Sequence, residues 1–250
     1  MNINQKNKHL RDNCIEFEED THKYTVNNKR LISVSQLIHT YFEPFNAKKI
    51  INLYYDRWQK NPDSEYYGLS PDEIKQKWND NRDRAANYGT RVHKQIELYL
   101  TGQELTTKTE EFNQFLIFER ENSNLEPYRV EWIIYDEDLM IGGTIDAVYK
   151  NQSTGQYYII DWKTNNKITK KNSYQQGKYP INYIDDCNFM HYTLQLSLYK
   201  HILETKYGIK IEKTYLCWLN KKNSSYNLLE TKYEKETVLK ILNERKQTKR

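Results

Sequence analysis

Three short β-type runs follow one another in the middle of the chain, and helical patterns stand before and after them. Val130–Tyr135, Met140–Tyr149 and Tyr157–Trp162 are rich in β-branched and aromatic residues, and a turn sequence at 152–155 separates the last two. Consecutive strands with short connections usually pair in one sheet. The sequence therefore predicts an α/β fold with a mixed central β-sheet flanked by helices.

Apolar residues with helical spacing stand on both sides of these runs. Upstream, the pattern predicts a hairpin over 15–34 that turns at Asn27-Asn28, two short helices within 35–60 broken at Pro44, a long helix from the capping box at 70–73 to about Leu100, and a helix over 110–121. Downstream, it predicts a helix over 189–207, a final strand over 211–219 and a final helix from Glu230 to about Lys246.

Composition excludes several classes of protein. The 250 residues carry 38 basic and 34 acidic side chains, so charge is nearly balanced and the chain should fold rather than stay disordered. No apolar run approaches the roughly 18 residues of a membrane span, and no signal peptide is evident. Twenty-two tyrosines must fill much of the core because aliphatic residues are few.

Cysteine usage and the N-terminus bear on location and organisation. Cys14, Cys187 and Cys217 are far apart, which argues against a disulfide framework and favours a reducing, intracellular compartment such as the cytoplasm, the nucleus or a viral factory. The Asn- and Lys-rich N-terminus does not support organelle import. Sparse glycine and proline favour a single domain over 1–250, with a hairpin and helical cover at 1–81, a core at 82–220, and a C-terminal helix and basic tail at 221–250.

Two aspartates and a lysine stand in the apolar strands. Asp146 ends Gly-Gly-Thr-Ile-Asp, and Asp161 and Lys163 flank Trp162. An unpaired charge in such a strand costs several kcal/mol, so each carboxylate needs a partner. Residues two apart in a strand share a face, and Asp161 and Lys163 are therefore predicted to project together, with Trp162 on the other side.

The register of the hairpin decides whether the two aspartates meet. An even-numbered loop centred between Ser153 and Thr154 places Asp146 opposite Asp161, with Cβ atoms about 4.5–5.5 Å apart, close enough to share one cation. A loop of three residues would shift the register by one and separate the acids across the sheet.

Two helical pairs extend this constellation. His93 and Glu97 are four residues apart and share a helix face, as do Gln195 and Tyr199. One imidazole beside oxygen ligands suits Mn²⁺ or Mg²⁺ better than structural zinc. The Gln195–Tyr199 pair is available to touch a phosphate or to orient a ligand.

Five motifs in order resemble the PD-(D/E)xK nuclease superfamily in its RecB-like branch. They are G-T-x-x-H at 89–93, Glu131, G-T-I-D at 143–146, D-W-K at 161–163 and Q-x-x-x-Y at 195–199. The chain looks most like the stand-alone exonucleases of the mitochondrial genome maintenance and the phage or large-virus types. The resemblance implies a restriction-endonuclease-like core with an N-terminal helical extension, whose helices at 35–100 shape a passage for one strand.

The resemblance also implies roles for individual residues. The metal ligands would be His93, Asp146, Asp161 and the carbonyl of Trp162; Lys163 would act at the phosphate or the attacking water; Glu131, Gln195 and Tyr199 would support the site, with Glu97 beside it. Candidate DNA contacts are Gln195, Tyr199, Thr164, Asn165, Lys170 and Lys171. The cofactor would be Mg²⁺ or Mn²⁺, and the cysteines lack the pattern that relatives use for an iron–sulfur cluster.

The resulting hypothesis is a metal-dependent exonuclease that hydrolyses single-stranded or end-containing DNA in replication, recombination or repair. One alternative is a structure- or sequence-selective endonuclease of the same superfamily. The other is a DNA-binding accessory factor with a vestigial site, against which the intact Asp146, Asp161 and Lys163 argue. Protein partners are not predicted by any motif.

Overall fold

The computed structural model describes residues 2–19 and 21–248, which leaves the last two residues of the predicted basic tail outside the described part. Two compact units are present, one formed by Pro44–Arg91 and the other by the rest of the described chain. The single-domain organisation stays a prediction. All of the candidate metal ligands and Lys163 belong to the larger unit.

A small antiparallel sheet lies near the N-terminus of the larger unit. It follows α1 (Ile3–Lys6) and a 3₁₀ turn at Leu10–Asn13, and it contains β1 (Ile15–Glu18), β2 (Lys23–Val26) and β3 (Lys29–Arg30). Asn27 and Asn28 join β2 to β3 with φ of 49° and 60°, left-handed values that asparagine tolerates well. The turn predicted at this pair is confirmed. The single hairpin predicted over 15–34 is wrong, because β1 and β2 already pair through an earlier turn, and Ile32 and Ser33 pair with the main sheet instead.

Six strands form the main sheet. They are β4 (Ile32–Ser33), β5 (Leu125–Asp136), β6 (Ile141–Asn151), β7 (Tyr157–Lys163), β8 (Ile211–Trp218) and β9 (Asn227–Thr231). The strands β5, β6 and β7 form the predicted antiparallel meander, while β4 runs parallel to β6, and β8 runs parallel to β7. The mixed sheet predicted from the sequence is confirmed.

Helices connect and cover these strands. They are α2 (Val34–Thr40), α3 (Ala47–Gln59), α4 (Pro71–Leu100), α5 (Glu110–Glu121), α6 (Asn188–Lys206) and α7 (Lys235–Thr248). The break near Pro44 and the capping box of α4 are confirmed, since the Ser70 backbone N–H donates to Glu73 Oε2 at 2.7 Å. The C-terminal part of α4, residues 92–100, belongs to the larger unit.

The C-terminal part differs from the prediction. Ile211–Trp218 is not the last strand, because β9 pairs with it in antiparallel fashion. Glu230, predicted to start the final helix, instead lies opposite Tyr215 in this ladder, and α7 begins at Lys235. Thr231 likewise pairs with Thr214, so pairing with β8 produces a strand at Glu230 and Thr231, where local spacing favoured a helix.

Two apolar clusters bury the main sheet of the larger unit. One contains Phe112, Phe115 and Phe118 of α5 together with Trp162 of β7, and the other contains Leu194, Leu198 and Ile202 of α6 together with Ile159 of β7. Neighbouring residues of β7 therefore point to opposite clusters. Asp161 and Lys163 share the parity of Ile159, and so they project on the α6 side, opposite Trp162, as predicted.

Candidate active site

The site lies where one edge of β6 changes its partner. Because β5 pairs with β6 along its length, β4 and β7 must share the other edge. On that edge β4 pairs as far as Gly142, and the pairing with β7 begins at Ala147. The stretch from Gly143 to Asp146 lies between the two partners, which leaves room for side chains to enter the gap.

The predicted hairpin register is confirmed. Ala147 pairs with Ile160 and Lys150 pairs with Tyr157, which is the alignment of an even-numbered loop centred between Ser153 and Thr154. One position further along, where this register would bring Asp146 opposite Asp161, the ladder stops. The Trp162 backbone N–H instead donates to Asp146 Oδ2 at 2.8 Å, so a side chain takes the place of a ladder bond.

Glu131 extends this row of carboxylates to a third strand. A register shift between Pro127 and Arg129 aligns Val130 with Ala147 and Trp132 with Ile145, which puts Glu131 opposite Asp146. Its φ is 46°, a left-handed value that is uncommon outside glycine, and this turns the backbone locally out of the strand conformation. Adjacent strands β5, β6 and β7 therefore each present one carboxylate at the same level.

His93 reaches the row from the final turns of α4. Its Nε2 lies 3.0 Å from the Trp162 carbonyl oxygen, and its Nδ1 lies 3.6 Å from Asp146 Oδ2. One ligand atom each from His93, Glu131 and Asp146 lie within 4.8 Å of one another. One imidazole with two carboxylates and a nearby carbonyl is a donor set that a hard divalent cation accepts.

Without a bound cation, the carboxylates of Glu131, Asp146 and Asp161 lie close enough to repel one another. Burial and the nearby Asp146 and Glu97 carboxylates raise the pKa of Glu131 to about 9. Burial and the Asp146 carboxylate also raise the pKa of Asp161 to about 6, although Lys163 opposes this shift. A divalent cation would offset the repulsion, so the residues present fit a site for a hard divalent cation.

Asp161 and Lys163 form a buried ion pair beside the cluster. Lys163 Nζ contacts Asp161 Oδ2 and lies 4.7 Å from the ring centroid of Tyr192. Burial by itself would lower the pKa of Lys163, but the Asp161 and Asp146 carboxylates outweigh it, and the net shift is upward. Lys163 is therefore an ammonium at neutral pH, although Asp161 itself stands outside the three-residue ligand group.

Gln195 and Tyr199 lie behind the gap rather than in open solvent. Gln195 Nε2 donates to the Tyr199 hydroxyl at 3.1 Å, and the Tyr199 ring is buried against Gly143. A Cβ at Gly143 would stand 2.7 Å from Tyr199 Cε1, so only glycine permits this approach. The glycine in G-T-I-D is thus required for packing of β6 on α6, and the polar pair supports the strand that carries Asp146.

The remaining predicted residues divide into anchored and exposed ones. The Asn165 carbonyl accepts hydrogen bonds from Trp218 Nε1 at 2.7 Å and Asn220 Nδ2 at 2.8 Å, and its side chain accepts one from Tyr192. Thr164 is half-buried between Lys163 and this anchor, while Lys170 and Lys171 are exposed. Glu97 accepts a hydrogen bond from Lys94 at 2.7 Å and lies one helical turn beyond His93.

Tyr192 is the neighbour of Lys163 that the sequence reasoning missed. Its ring lies under the ammonium, and its hydroxyl donates to Asn165 Oδ1 at 3.0 Å. Tyr192 precedes Gln195 by three residues and so lies on the same face of α6. That spacing was the available signal, but the many tyrosines of this chain concealed it.

Carboxylates beside a fixed ammonium, at a break in a mixed sheet, define a candidate centre for metal-dependent hydrolysis. The sequence profile of the PD-(D/E)XK nuclease superfamily matches residues 36–249, and the chain belongs to this superfamily. The restriction-endonuclease-like α/β fold predicted from the motifs is thereby confirmed. Membership implies a nuclease that hydrolyses phosphodiester bonds of nucleic acid.

Other comparisons add little to the assignment. A crystal structure titled SSO0001 aligns with 90% of this chain and 78% of its own, at 13% identity and a TM-score of 0.38. Proteins with curated descriptions gave no significant match. Within residues 2–19 and 21–248, no helix combines the length and apolarity that crossing a membrane requires.

Proposed function

We propose that this chain is a Mg²⁺- or Mn²⁺-dependent DNA exonuclease of the RecB-like branch, acting on single-stranded or end-containing DNA in replication, recombination or repair. The observation that carries the proposal is the convergence of His93, Glu131 and Asp146 within 4.8 Å, next to the Asp161–Lys163 ion pair. The nuclease class follows from the family, and the finer assignment follows from the motifs.

The ligands proposed for the cation are His93, Glu131, Asp146 and the Trp162 carbonyl. Asp161 stands outside this group and holds the Lys163 ammonium instead. When bound, a divalent cation supplies a Lewis acid for the phosphoryl group. The hydrogen bond from the Trp162 backbone N–H to Asp146 fixes the aspartate side chain before any substrate binds. The side chain therefore needs little reorganisation during the reaction.

Lys163 is proposed to act on the phosphate directly. Its ammonium is mostly buried and is held between Asp161 and the ring of Tyr192, so its position is fixed. A fixed positive charge in a site of low dielectric stabilises the negative charge that develops on the phosphoryl oxygens in the transition state. Gln195 and Tyr199 keep β6 in place behind it.

The first test measures cleavage of labelled single-stranded DNA in Mg²⁺, in Mn²⁺ and in EDTA. We expect Asp161→Asn and Lys163→Ala to lower the rate by about 10²-fold or more, because the first removes the carboxylate that holds the ammonium and the second removes the ammonium itself. The matched control is Lys213→Ala, since Lys213 is an exposed lysine on the adjacent strand β8, paired with Glu230. Cleavage that persists in EDTA or in Asp161→Asn would contradict the metal mechanism.

A second test separates the three candidate activities. An exonuclease degrades linear single strands and leaves a covalently closed single-stranded circle intact, whereas an endonuclease cuts both. An accessory factor with a vestigial site binds DNA and cuts neither substrate. Product ladders from strands labelled at the 5′ end and at the 3′ end then give the direction of digestion.

A further inference from the structure

The connection between β7 and α6, residues 164–187, is long and irregular but well anchored. Ile181 is fully buried, the Gly177 backbone N–H donates to the Ile184 carbonyl at 2.8 Å, and Asn172 Nδ2 donates to the Asp186 carbonyl at 2.7 Å. Connections of this length inside a compact unit are uncommon, and many of them are functional. The segment follows directly after Lys163.

Segment 164–187 holds two of its three aromatic rings outward. Tyr174 is 96% exposed and Tyr179 is 80% exposed, and neither ring packs on an aromatic ring or a cation within the described part of the chain. In the same segment Ile181 and Ile184 are buried, so the loop packs these side chains inward while the two tyrosine rings stay in solvent. Two exposed rings on an anchored backbone are available to stack on a flat ligand.

The charge of the segment is suited to an anion. Lys167, Lys170 and Lys171 have no carboxylate within ion-pairing distance among the residues that the structure describes. The acids are already engaged: Asp185 accepts a hydrogen bond from the Asn172 N–H at 3.2 Å, and Asp186 pairs with His191 at 2.9 Å. The segment therefore carries both lysines that have no carboxylate partner among the described residues and exposed tyrosine rings.

The lysines are continuous with the candidate active site. Lys170 Nζ lies 5.1 Å from the ring of Phe189, and Lys163 Nζ lies 4.7 Å from the ring of Tyr192. Phe189 and Tyr192 are three residues apart on α6, so their Cβ atoms are neighbours on one helix face at about 5–6 Å. Lys170 and Lys163 thus lie over neighbouring rings of one helix face, which places the lysines of the segment next to the candidate active site.

We propose that segment 164–187 binds a single strand of DNA as it leaves or enters the active site. Lys167, Lys170 and Lys171 contact the phosphates, and Tyr174 and Tyr179 stack on the bases. Stacking needs bases with a free face, which an unpaired strand offers and a duplex does not, so the segment selects single strands. This inference rests on the proposed nuclease function and names its preferred substrate.

The test measures binding of the full chain to a fluorescent thymidine 20-mer and to a duplex of equal length, in EDTA so that cleavage is absent. We expect the double variant Tyr174→Ala with Tyr179→Ala to bind the single strand about tenfold more weakly or worse. The double variant with phenylalanine at both positions keeps the rings and should bind within twofold of wild type. Duplex binding should change less than twofold in either variant.

Salt dependence separates the lysines from the rings. The binding constant falls as salt rises, and Lys170→Ala should make this slope of log K against log salt shallower by about 0.7, the value for one phosphate contact on a single strand. The tyrosine variants should leave the slope unchanged. The control Lys210→Ala should not alter it, because Lys210 precedes Ile211, which pairs with Tyr157 at the opposite end of β7 from Lys163. Melting curves verify that every variant is folded.

The outcomes distinguish this inference from the proposed function. Wild-type protein that does not bind the single strand, a double alanine variant that binds normally, or an equal loss on duplex overturns the inference. If the wild type cuts DNA with metal and the alanine variant binds and cuts normally, the proposed role of the segment is wrong and the nuclease function stands. If the wild type binds through the tyrosines but never cuts, the nuclease function fails while the binding segment stands.

Discussion

At the scale of single residues, Glu131 combines a strained backbone conformation with a carboxyl group in an unfavourable electrostatic environment. Its φ of 46° is uncommon for a residue with a Cβ, and its carboxyl group is buried near Asp146 and Glu97. Backbone strain of this kind costs about 1–3 kcal/mol and persists where surrounding packing enforces it, frequently at functional sites. A cation between Glu131 and Asp146 would offset the electrostatic part of this cost.

The raised pKa of Glu131 predicts a pH dependence of stability in metal-free protein. The folded pKa is about 9 and the ordinary value is 4.5, so the folded state binds more protons than the unfolded state between these values. Stability contributed by this group is therefore complete below pH 4.5 and is lost as pH rises toward 9. We expect Glu131→Gln to melt several degrees higher than wild type at pH 8.5, but similarly at pH 5, by calorimetry in EDTA.

Glu230→Gln is the control for this prediction, because Glu230 is an exposed carboxylate paired with Lys213. Its melting temperature should follow the wild-type pH profile. If wild type and Glu131→Gln give parallel profiles between pH 5 and 8.5, then the crowding assigned to Glu131 is wrong.

At the scale of elements, β6 packs closely on α6 because Gly143 has no side chain. Gly143 lets the Tyr199 ring lie against the strand, and Tyr199 in turn accepts a hydrogen bond from Gln195. Since Asp146 stands three residues further on in β6, this contact also sets the position of a candidate metal ligand. The contact connects a packing requirement to the chemistry of the site.

Gly143→Ala is expected to destabilise the protein by about 1–3 kcal/mol, since the added Cβ would overlap a buried ring. For a chain of this size, this lowers the melting temperature by roughly 2–4 °C per kcal/mol. Gly142→Ala is the comparison in the same strand. Its new Cβ would stand 3.0 Å from Leu31 Cδ1 and 3.3 Å from Tyr24 Cβ, whereas the contact at Gly143 is 2.7 Å, so the loss should be smaller.

A double variant checks the cause assigned to this loss. Tyr199→Leu removes the ring that the new Cβ would meet, so Gly143→Ala should destabilise a Tyr199→Leu background less than it destabilises wild type. Additive losses in the double variant would exclude the Gly143–Tyr199 contact as the cause.

At the scale of the whole molecule, the candidate ligands come from parts of the chain that only folding brings together. His93 is on α4, whereas Glu131, Asp146 and Trp162 are on three different strands of the sheet. The unfolded chain has no such site, so a cation that binds the folded state stabilises all of it. At a metal concentration one hundred times Kd, this amounts to about 2.7 kcal/mol.

We therefore expect saturating Mn²⁺ to raise the melting temperature by roughly 5–10 °C, and excess EDTA to reverse the change. Asp146→Asn should abolish the increase, because it removes a ligand charge from the centre of the cluster. Glu230→Gln, a carboxylate at the far edge of the sheet on β9, should keep the full increase. A shift of equal size in Asp146→Asn would place the stabilising cation elsewhere.

Local patterns in the sequence determined the elements and much of the site. The Asn27-Asn28 turn, the capping box before α4, the meander and the register that aligns Asp146 with Asp161 all follow from short-range rules, because each depends on residues close together in the chain. The sequence did not predict β9, since Leu228 and Leu229 adopt a strand only by pairing with β8.

Only the tertiary structure decided how the candidate residues meet. The break between β4 and β7 along β6, the turned backbone of Glu131, the ring of Tyr192 beneath Lys163 and the outward tyrosines at 174 and 179 depend on contacts between residues distant in sequence. Residue types and spacing identify which groups are available for chemistry. Their distances and charges are fixed by packing, because a pKa or a ligand geometry depends on neighbours that local sequence does not specify.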